Sequence, residues 1–525
     1  MAKLKRLQIF CIFSLTIFIT IMSAPMADAV LTRKWVDEGY GAFLKGETTD
    51  LKLTADGGLG LAPAIKKIAG PSLDSSILTI YSDQKTVYGG TCFGGKVLVR
   101  RPEAKSFTVF AETKEIMVTA IISHGKSLFV GTGPNGKIFE YDKKSKKLLN
   151  THDSGENYIW AFLRENIGTG LLVATGPNGR LLALRNGKFT VRYDSKSKHI
   201  NCLARSKEGN VLAGTADEAL LLDLASDGSG PARTLFQPNQ PECRSISVDE
   251  RTGTIYLCAT TAPKAAASLK KPMARKPAPR SAKKNAKKDD KKKSITEETN
   301  NNGAEAVATK KGNGKKEAPK KEEPKSKTNK VQPKLSAKGE AAIRRFLEKV
   351  AVTKPFQSKA PAGKKVAFTD GAKHNKHAIY AIEPNGSAST IFSSNDAVVF
   401  GAVFHRGRLY VGSGNDGYVY RVNPKKNGAE LLAHIDEKQA VAFGVAGDEL
   451  IIGSGNEGRF YSVGPESATT GTFTSEVKKL PHNALFGSIS HLSDNPQGAK
   501  LSFETRSGFT VKPDDSWSPW TACDS

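Results

Sequence analysis

From Ile77 onward, short apolar runs alternate with polar turns on a fixed plan. One cycle opens with Met117-Val118-Thr119-Ala120-Ile121-Ile122, turns at His124-Gly125-Lys126, and continues through Ser127-Leu128-Phe129-Val130. A glycine-rich turn comes next, then Lys137-Ile138-Phe139-Glu140-Tyr141, the charged turn Asp142-Lys143-Lys144, and Lys147-Leu148-Leu149-Asn150. Runs of this length, rich in β-branched and aromatic residues and bounded by turn formers, predict four strands joined by hairpins. The turn Gly131-Thr132-Gly133-Pro134-Asn135-Gly136 has counterparts at Ala174 to Gly179, Gly412 to Gly417 and Gly453 to Gly458. Within them Gly131, Gly133, Gly136, Gly176, Gly179, Gly412, Gly414, Gly417, Gly453, Gly455 and Gly458 are read as structural hairpin residues, supplying close approach or positive φ.

Aligned on the residue that opens this turn, the units begin at Gly90, Gly131, Ala174, Gly214, Ala259, Gly412 and Gly453, with steps of 41, 43, 40 and 45, a long gap, and 41. A period near forty residues with four strands per unit is that of propeller blades. A small four-stranded sheet cannot bury both faces alone, and radial stacking buries each against its neighbours. Aromatic residues of the third strands (Phe139, Tyr418, Tyr420, Phe460, Tyr461) suit the layers between blades. The expected fold is all-β, a seven-bladed β-propeller over 77–261 and 374–479, with a basic insert in the fifth blade and a small C-terminal β unit. In that fifth blade Gly253 to Leu257 supplies the second strand and His377 to Ile382 the third.

The segment 30–76 is a lead-in with Trp35, Tyr40 and Phe43 as apolar anchors, an alternating Leu51 to Thr54 and a turn at Asp56-Gly57-Gly58. It packs on the edge of the repeat array or begins the C-terminal sheet system. The insert, 262–373, is rich in Lys, Ala and Pro. Its composition is that of a disordered segment. One island, with Ile343, Phe346, Leu347 and Val350 at helical spacing, predicts a short helix near 337–350 with Ser336 as N-cap. In 480–525 the strands expected are Ala484 to Ile489 and Lys500 to Arg506, preceded by one at Phe473 to Val477.

Charge sharpens this division. Of a net +26, the span from Thr261 to Glu340 carries 24 Lys+Arg against 9 Asp+Glu, so the basicity belongs to a segment and not to a folded face. The first 29 residues read as a signal peptide: Lys3, Lys5 and Arg6, then an apolar run from Leu7 to Met22, then Ala27-Asp28-Ala29 with cleavage between Ala29 and Val30. Retention of that run as an anchor is the alternative. No later run is long and apolar enough to span a bilayer. Beyond the signal, Cys92, Cys202, Cys243, Cys258 and Cys523 have neither metal-ligand spacing nor a disulfide framework; they read as small buried residues, with one disulfide left open.

The repeats resemble those of bacterial exported β-propellers related to the WD-repeat, NHL and two-component-regulator groups, over about Ile77 to Lys479 without the insert. The likeness extends to propellers with a low-complexity insert in one blade and a C-terminal run that here reads Thr505-Arg506-Ser507-Gly508, Pro513-Asp514 and Trp517-Ser518-Pro519-Trp520. The fourth turn, Gly214-Thr215-Ala216-Asp217-Glu218-Ala219, departs from the pattern. The resemblance implies a propeller fold and carries no activity with it.

Gly131 to Gly136 also matches a dinucleotide fingerprint, which needs a helix after the turn. A β-branched and aromatic run comes after it here, and the motif repeats, so no cofactor is expected. Ligands of propellers bind at a channel mouth, and the matching positions are Tyr158, Trp160, Asn201, Arg244, Phe400 and Phe443. They are aromatic and polar, without the convergent carboxylates of a metal site. Trp517 to Cys523 resembles the start of a thrombospondin-type repeat without its cysteines, and reads as a packed strand. The first functional reading is an exported non-catalytic scaffold, periplasmic, envelope-bound or extracellular, with a protein partner. Alternatives are a hydrolase- or lactonase-type enzyme at the channel mouth, and a polyanion binder whose insert touches an anionic polymer or membrane surface. Interleaved aromatics for nucleic-acid recognition are absent from the insert.

Overall fold

A strand with an almost wholly buried residue near its start and a break in the ladder just after it begins each structural repeat. These first strands are Ile77–Asp83, Met117–His124, Tyr158–Arg164, His199–Arg205, Glu242–Val248, Val399–His405 and Ala440–Ala446. The computed structural model describes residues 34–73, 75–166, 170–261, 375–395, 397–414, 416–425, 428–479, 487–495 and 498–523. The expected signal peptide with its Ala29–Val30 cleavage site, the insert and its helix near 337–350 lie outside the described residues.

The chain is all-β, built of small antiparallel sheets. Each first strand pairs with a second, the second with a third across the glycine-rich turn, and the third with a fourth. In the second repeat the order is Met117–His124, Ser127–Gly133, Lys137–Asp142 and Leu148–Asp153. In the fifth, Ile255–Thr260 pairs with His377–Ile382, although Thr260 and His377 stand 117 positions apart. The neck there is closed by Thr261 N–H donating to Lys376 O at 2.7 Å and Gln240 Nε2 donating to Asn375 O at 2.8 Å. The fourth and fifth repeats share one further pair, Ala216 with Glu242.

The core is divided into slabs between neighbouring sheets. Tyr88, Val97 and Phe110 of the first meet Val118, Leu128 and Tyr141 of the second. Similar clusters fill each later junction. The series returns on itself, because Ile77, Val87 and Leu98 of the first sheet pack with Ala442, Ile451 and Phe460 of the last. Phe107 and Phe460 stack there with centroids 3.7 Å apart. The first strands likewise contact one another in succession, and Ala440–Ala446 contacts Ile77–Asp83. Each slab is alkyl and aromatic, where a fully buried side chain contributes about 1.5–3 kcal/mol.

The lead-in completes this arrangement. Pro63–Ile68 pairs with Phe460–Ser467 as the outermost strand of the last sheet. Leu51–Leu53 pairs with Leu59–Leu61 and, through Leu53, with Leu431 at the edge of the sheet before it. Glu47–Thr49 pairs with Thr472–Thr474. The strand expected over Phe473 to Val477 is confined to Thr472–Thr474: Glu47 opposes Thr474, and the residues that would oppose Ser475 and Glu476 precede Glu47, next to the helical turn Tyr40–Phe43. Lys478 bonds Asp37 at 2.6 Å instead of continuing a ladder. In the C-terminal region the strand expected at Lys500 to Arg506 is confined to Phe503–Thr505, paired with Thr521–Cys523. Of the strand expected at Ala484 to Ile489, residues 484–486 lie outside the described residues, and 487–489 have no regular structure. Among the described residues no helix is long and apolar enough to cross a membrane.

Candidate functional site

Every first strand carries a β-bulge at the same place. The residue before it is almost wholly buried: Ile77, Val118, Ile159, Ile200, Cys243, Val399 and Ala440 are all at most 1 % exposed. The ladder then skips one residue, respectively Leu78, Thr119, Trp160, Asn201, Arg244, Phe400 and Val441. A bulge re-aims a side chain out of the ladder. All of these skipped residues are half-buried. They lie at the end of the sheets that bears the glycine-rich turns, since Tyr158 pairs with Gly176 and Val399 with Ser413.

Several of them reach to the next repeat. Thr119 Oγ1 donates to the carbonyl of Ile159. Asn201 Nδ2 donates to the carbonyl of Cys243 at 3.1 Å. Trp160 Nε1 donates to His199 Nδ1 at 3.0 Å, a bond that requires Nδ1 of the imidazole to be unprotonated. Tyr158 stacks on Trp160 with centroids 4.9 Å apart and 11° between planes, and His199 stands edge-on to Trp160 at 5.6 Å. Arg244 Nη2 pairs with Glu242 Oε2 at 2.9 Å, while its buried Nε has no hydrogen-bond partner among the described residues.

The glycine-rich turns give these side chains their room. A Cβ on Gly133 would stand 2.7 Å from the Tyr158 ring, and one on Gly176 would be 2.9 Å from Trp160 Nε1 and overlap His199. The opening residues serve the slabs: a Cβ on Gly131 would be 2.5 Å from Ile159, and on Gly453 2.6 Å from Ile77. The hydroxyl after each opening residue fastens the turn. Thr132 donates to Lys137 O at 2.9 Å, Thr175 to Arg180 O at 2.9 Å and Ser413 to Tyr418 O at 3.0 Å. In the fifth repeat the equivalent Thr260 shares a hydrogen bond with Nδ1 of His377. Strand Lys137–Asp142, not a helix, comes after Gly136, so this turn lacks the helix N-terminus that holds a pyrophosphate.

Of the positions singled out in the sequence, Trp160, Asn201, Arg244 and Phe400 are bulge residues, and Tyr158 joins them by stacking. Phe443 lies apart: it packs against Gly412, where a Cβ would be 2.5 Å from its ring, within the slab between the last two sheets. The bulge residue of that strand is Val441. Leu78, Thr119 and Val441 were not read from the sequence; the signal for them is their place directly after the buried residue opposite the turn's Thr or Ser.

The titratable groups nearby are quiescent. Burial first, then the charges of Lys376 and Arg244, push the pKa of His377 down to about 4, so it is neutral at pH 7. Burial pushes the thiols of Cys243 and Cys258 up to about 12, which keeps them protonated and unreactive. The cysteines among the described residues are unpaired. No group of three or more metal-ligating side chains occurs among the described residues. The arrangement offers a pre-oriented surface: stacked aromatic rings, an arginine paired with a glutamate, and polar groups bonded to one another. Comparison of the chain with protein-family models and with curated proteins finds no match.

Proposed function

We propose that the chain is an exported seven-bladed β-propeller that acts as a non-catalytic binding scaffold, with its binding face at the bulge-bearing mouth. Support for the seven blades comes from the seven first strands, the cyclic series of slabs and the pairing of Pro63–Ile68 with Phe460–Ser467. Support for export comes from the basic and apolar character of the first 29 residues. The observation that carries the function is the recurrent bulge, which turns one half-buried side chain per repeat toward the same end. A set containing Trp160, Phe400, Leu78 and Val441 beside one Arg–Glu pair suits a contact surface more than acid–base chemistry.

The experiment is affinity capture from an envelope extract with the mature chain, a Trp160→Ala, Phe400→Ala double variant, and a chain lacking 262–373. A partner held by the mature and shortened chains and lost from the double variant supports the mouth as the binding face. A partner lost only on removing the insert, and released by about 0.5 M salt as a screened charge contact, replaces this reading with polyanion binding. Hydrolase activity that chelation abolishes replaces it with the enzyme reading.

A further inference from the structure

We infer that the end of the repeats opposite the glycine-rich turns carries an oxyanion site, in which Arg164 and Arg205 take a phosphate group. The inference is independent of the binding face at the other end. Both arginines sit where their first strands close. Arg164 pairs with Leu171 and Arg205 with Val211, at the far end of each ladder from Tyr158–Gly176 and His199–Ala216. Each lies four positions beyond its bulge residue, Trp160 or Asn201. Ser123 holds the same place in the second repeat and Val248 in the fifth, and no other repeat has a cation there. The cationic pair therefore belongs to the third and fourth repeats, which are neighbours.

Each guanidinium lies across the strand end of the repeat before its own. Arg164 Nε and Nη2 donate to Ser123 O at 2.9 and 2.7 Å, and Nη2 also donates to the Tyr81 hydroxyl at 2.9 Å. Arg205 Nη2 donates to Arg164 O, and its Nη1 to Gly209 O at 3.1 Å. The two forks are thus fixed on adjacent strand ends, while Arg164 Nη1 and Arg205 Nε have no acceptor among the described residues. Carbonyls satisfy the bonded donors without supplying a negative charge. The nearby carboxylates are engaged elsewhere: Asp83 pairs with Lys143 at 2.8 Å and Glu165 with Arg185 at 2.6 Å. Glu208, beside Gly209, is exposed and forms no ion pair with either arginine. Burial holds the Arg205 guanidinium below the usual arginine range, as expected of a cation taken from water without a counter-ion. Two uncompensated guanidiniums match a phosphate group, which carries about −1.5 to −2 at pH 7, better than they match a single carboxylate. Arginine forks held in place are the groups suited to phosphate oxygens.

The test is isothermal titration of the chain with inorganic phosphate, glycerol 3-phosphate and acetate at about 0.15 M salt, which screens loose contacts with the lysine-rich segment 262–373. Saturable one-site binding of a phosphate probe, weakened about tenfold by Arg164→Gln and by Arg205→Gln and only partly restored by Arg164→Lys, supports the inference. Tighter binding of glycerol 3-phosphate than of inorganic phosphate assigns the site to a phosphate ester, and the reverse to the free anion; both support it. Lys147→Gln, which removes one exposed charge elsewhere, and the Trp160→Ala, Phe400→Ala double variant should bind as the parent does. Should Arg205→Gln not fold, Arg164→Gln carries the test, since its side chain lies exposed at the rim. No saturable binding of either phosphate probe, binding that the arginine variants leave unchanged, an equal loss in Lys147→Gln, or tighter binding of acetate overturns it.

Discussion

Gly125 and Gly136 share a φ of +56° and differ in what a methyl group would meet. At Gly125 the space is open; at Gly136 a Cβ would overlap the carbonyl of Glu156, in the linker to the next sheet. Gly125→Ala should therefore cost the left-handed backbone strain alone, about 1 kcal/mol. Gly136→Ala should cost at least about 2 kcal/mol, because the linker must also move. Urea midpoints of the two variants separate the terms. His377 gives a second residue-scale prediction. Its ordinary pKa of 6.5 falls to about 4 on folding. The unfolded chain then binds the extra proton, so stability is fully present above about pH 6.5 and drains away as pH falls toward 4. A gap of that size is worth about 3 kcal/mol. His377→Gln should flatten the loss of stability between pH 7 and 4.5, measured as the midpoint difference.

At the scale of one strand or hairpin, the turns were readable because Gly, Asn and Thr recur at fixed offsets and each does a local job. The bulges were not. A skipped residue changes no composition and breaks the alternation where it falls; Val441 leaves the ladder at the turn-bearing end, while Phe443, two residues on, stays paired and packs in the slab between the last two sheets. Trp160, Asn201, Arg244 and Phe400 were legible because a bulky or polar residue comes directly after a buried one. The role of the lead-in was open for another reason: Pro63–Ile68 pairs with a strand nearly four hundred positions later, and no local pattern encodes that partner. The neck of the fifth sheet carries an element-scale prediction. Because Thr261 and Lys376 already close like the last pair of a hairpin, replacing 262–375 by Asn-Gly should preserve the sheet. The thermal midpoint should stay within a few degrees of the parent or rise, since a shorter connection lowers the cost of loop closure by up to about 3 kcal/mol.

At the scale of the whole molecule, stability depends on the return of the last sheet to the first. Deleting residues 30–69 removes Pro63–Ile68 and uncovers Phe460–Ser467, with loss of the buried Leu53 and Ile68. Two such side chains account for about 3–6 kcal/mol. The truncated chain should melt at least about 5 °C lower and over a broader range, read by differential scanning calorimetry.

The same seam sets an order of events during synthesis. Sheets made of neighbouring hairpins can form one after another as the polypeptide grows, from Ile77 onward. The strand at Pro63–Ile68 is among the first to be made, yet its partner at Phe460–Ser467 is among the last. Until that partner appears, the early strand must wait with its backbone donors and acceptors unmatched, and the outer flank of the first sheet, at Phe107, stays uncovered. Nascent chains arrested before Phe460 should be cut by protease near Lys66 and Lys67, and chains released after Ser467 should resist. The strand Pro63–Ile68 thus serves as a latch that can fasten only once synthesis has passed Ser467.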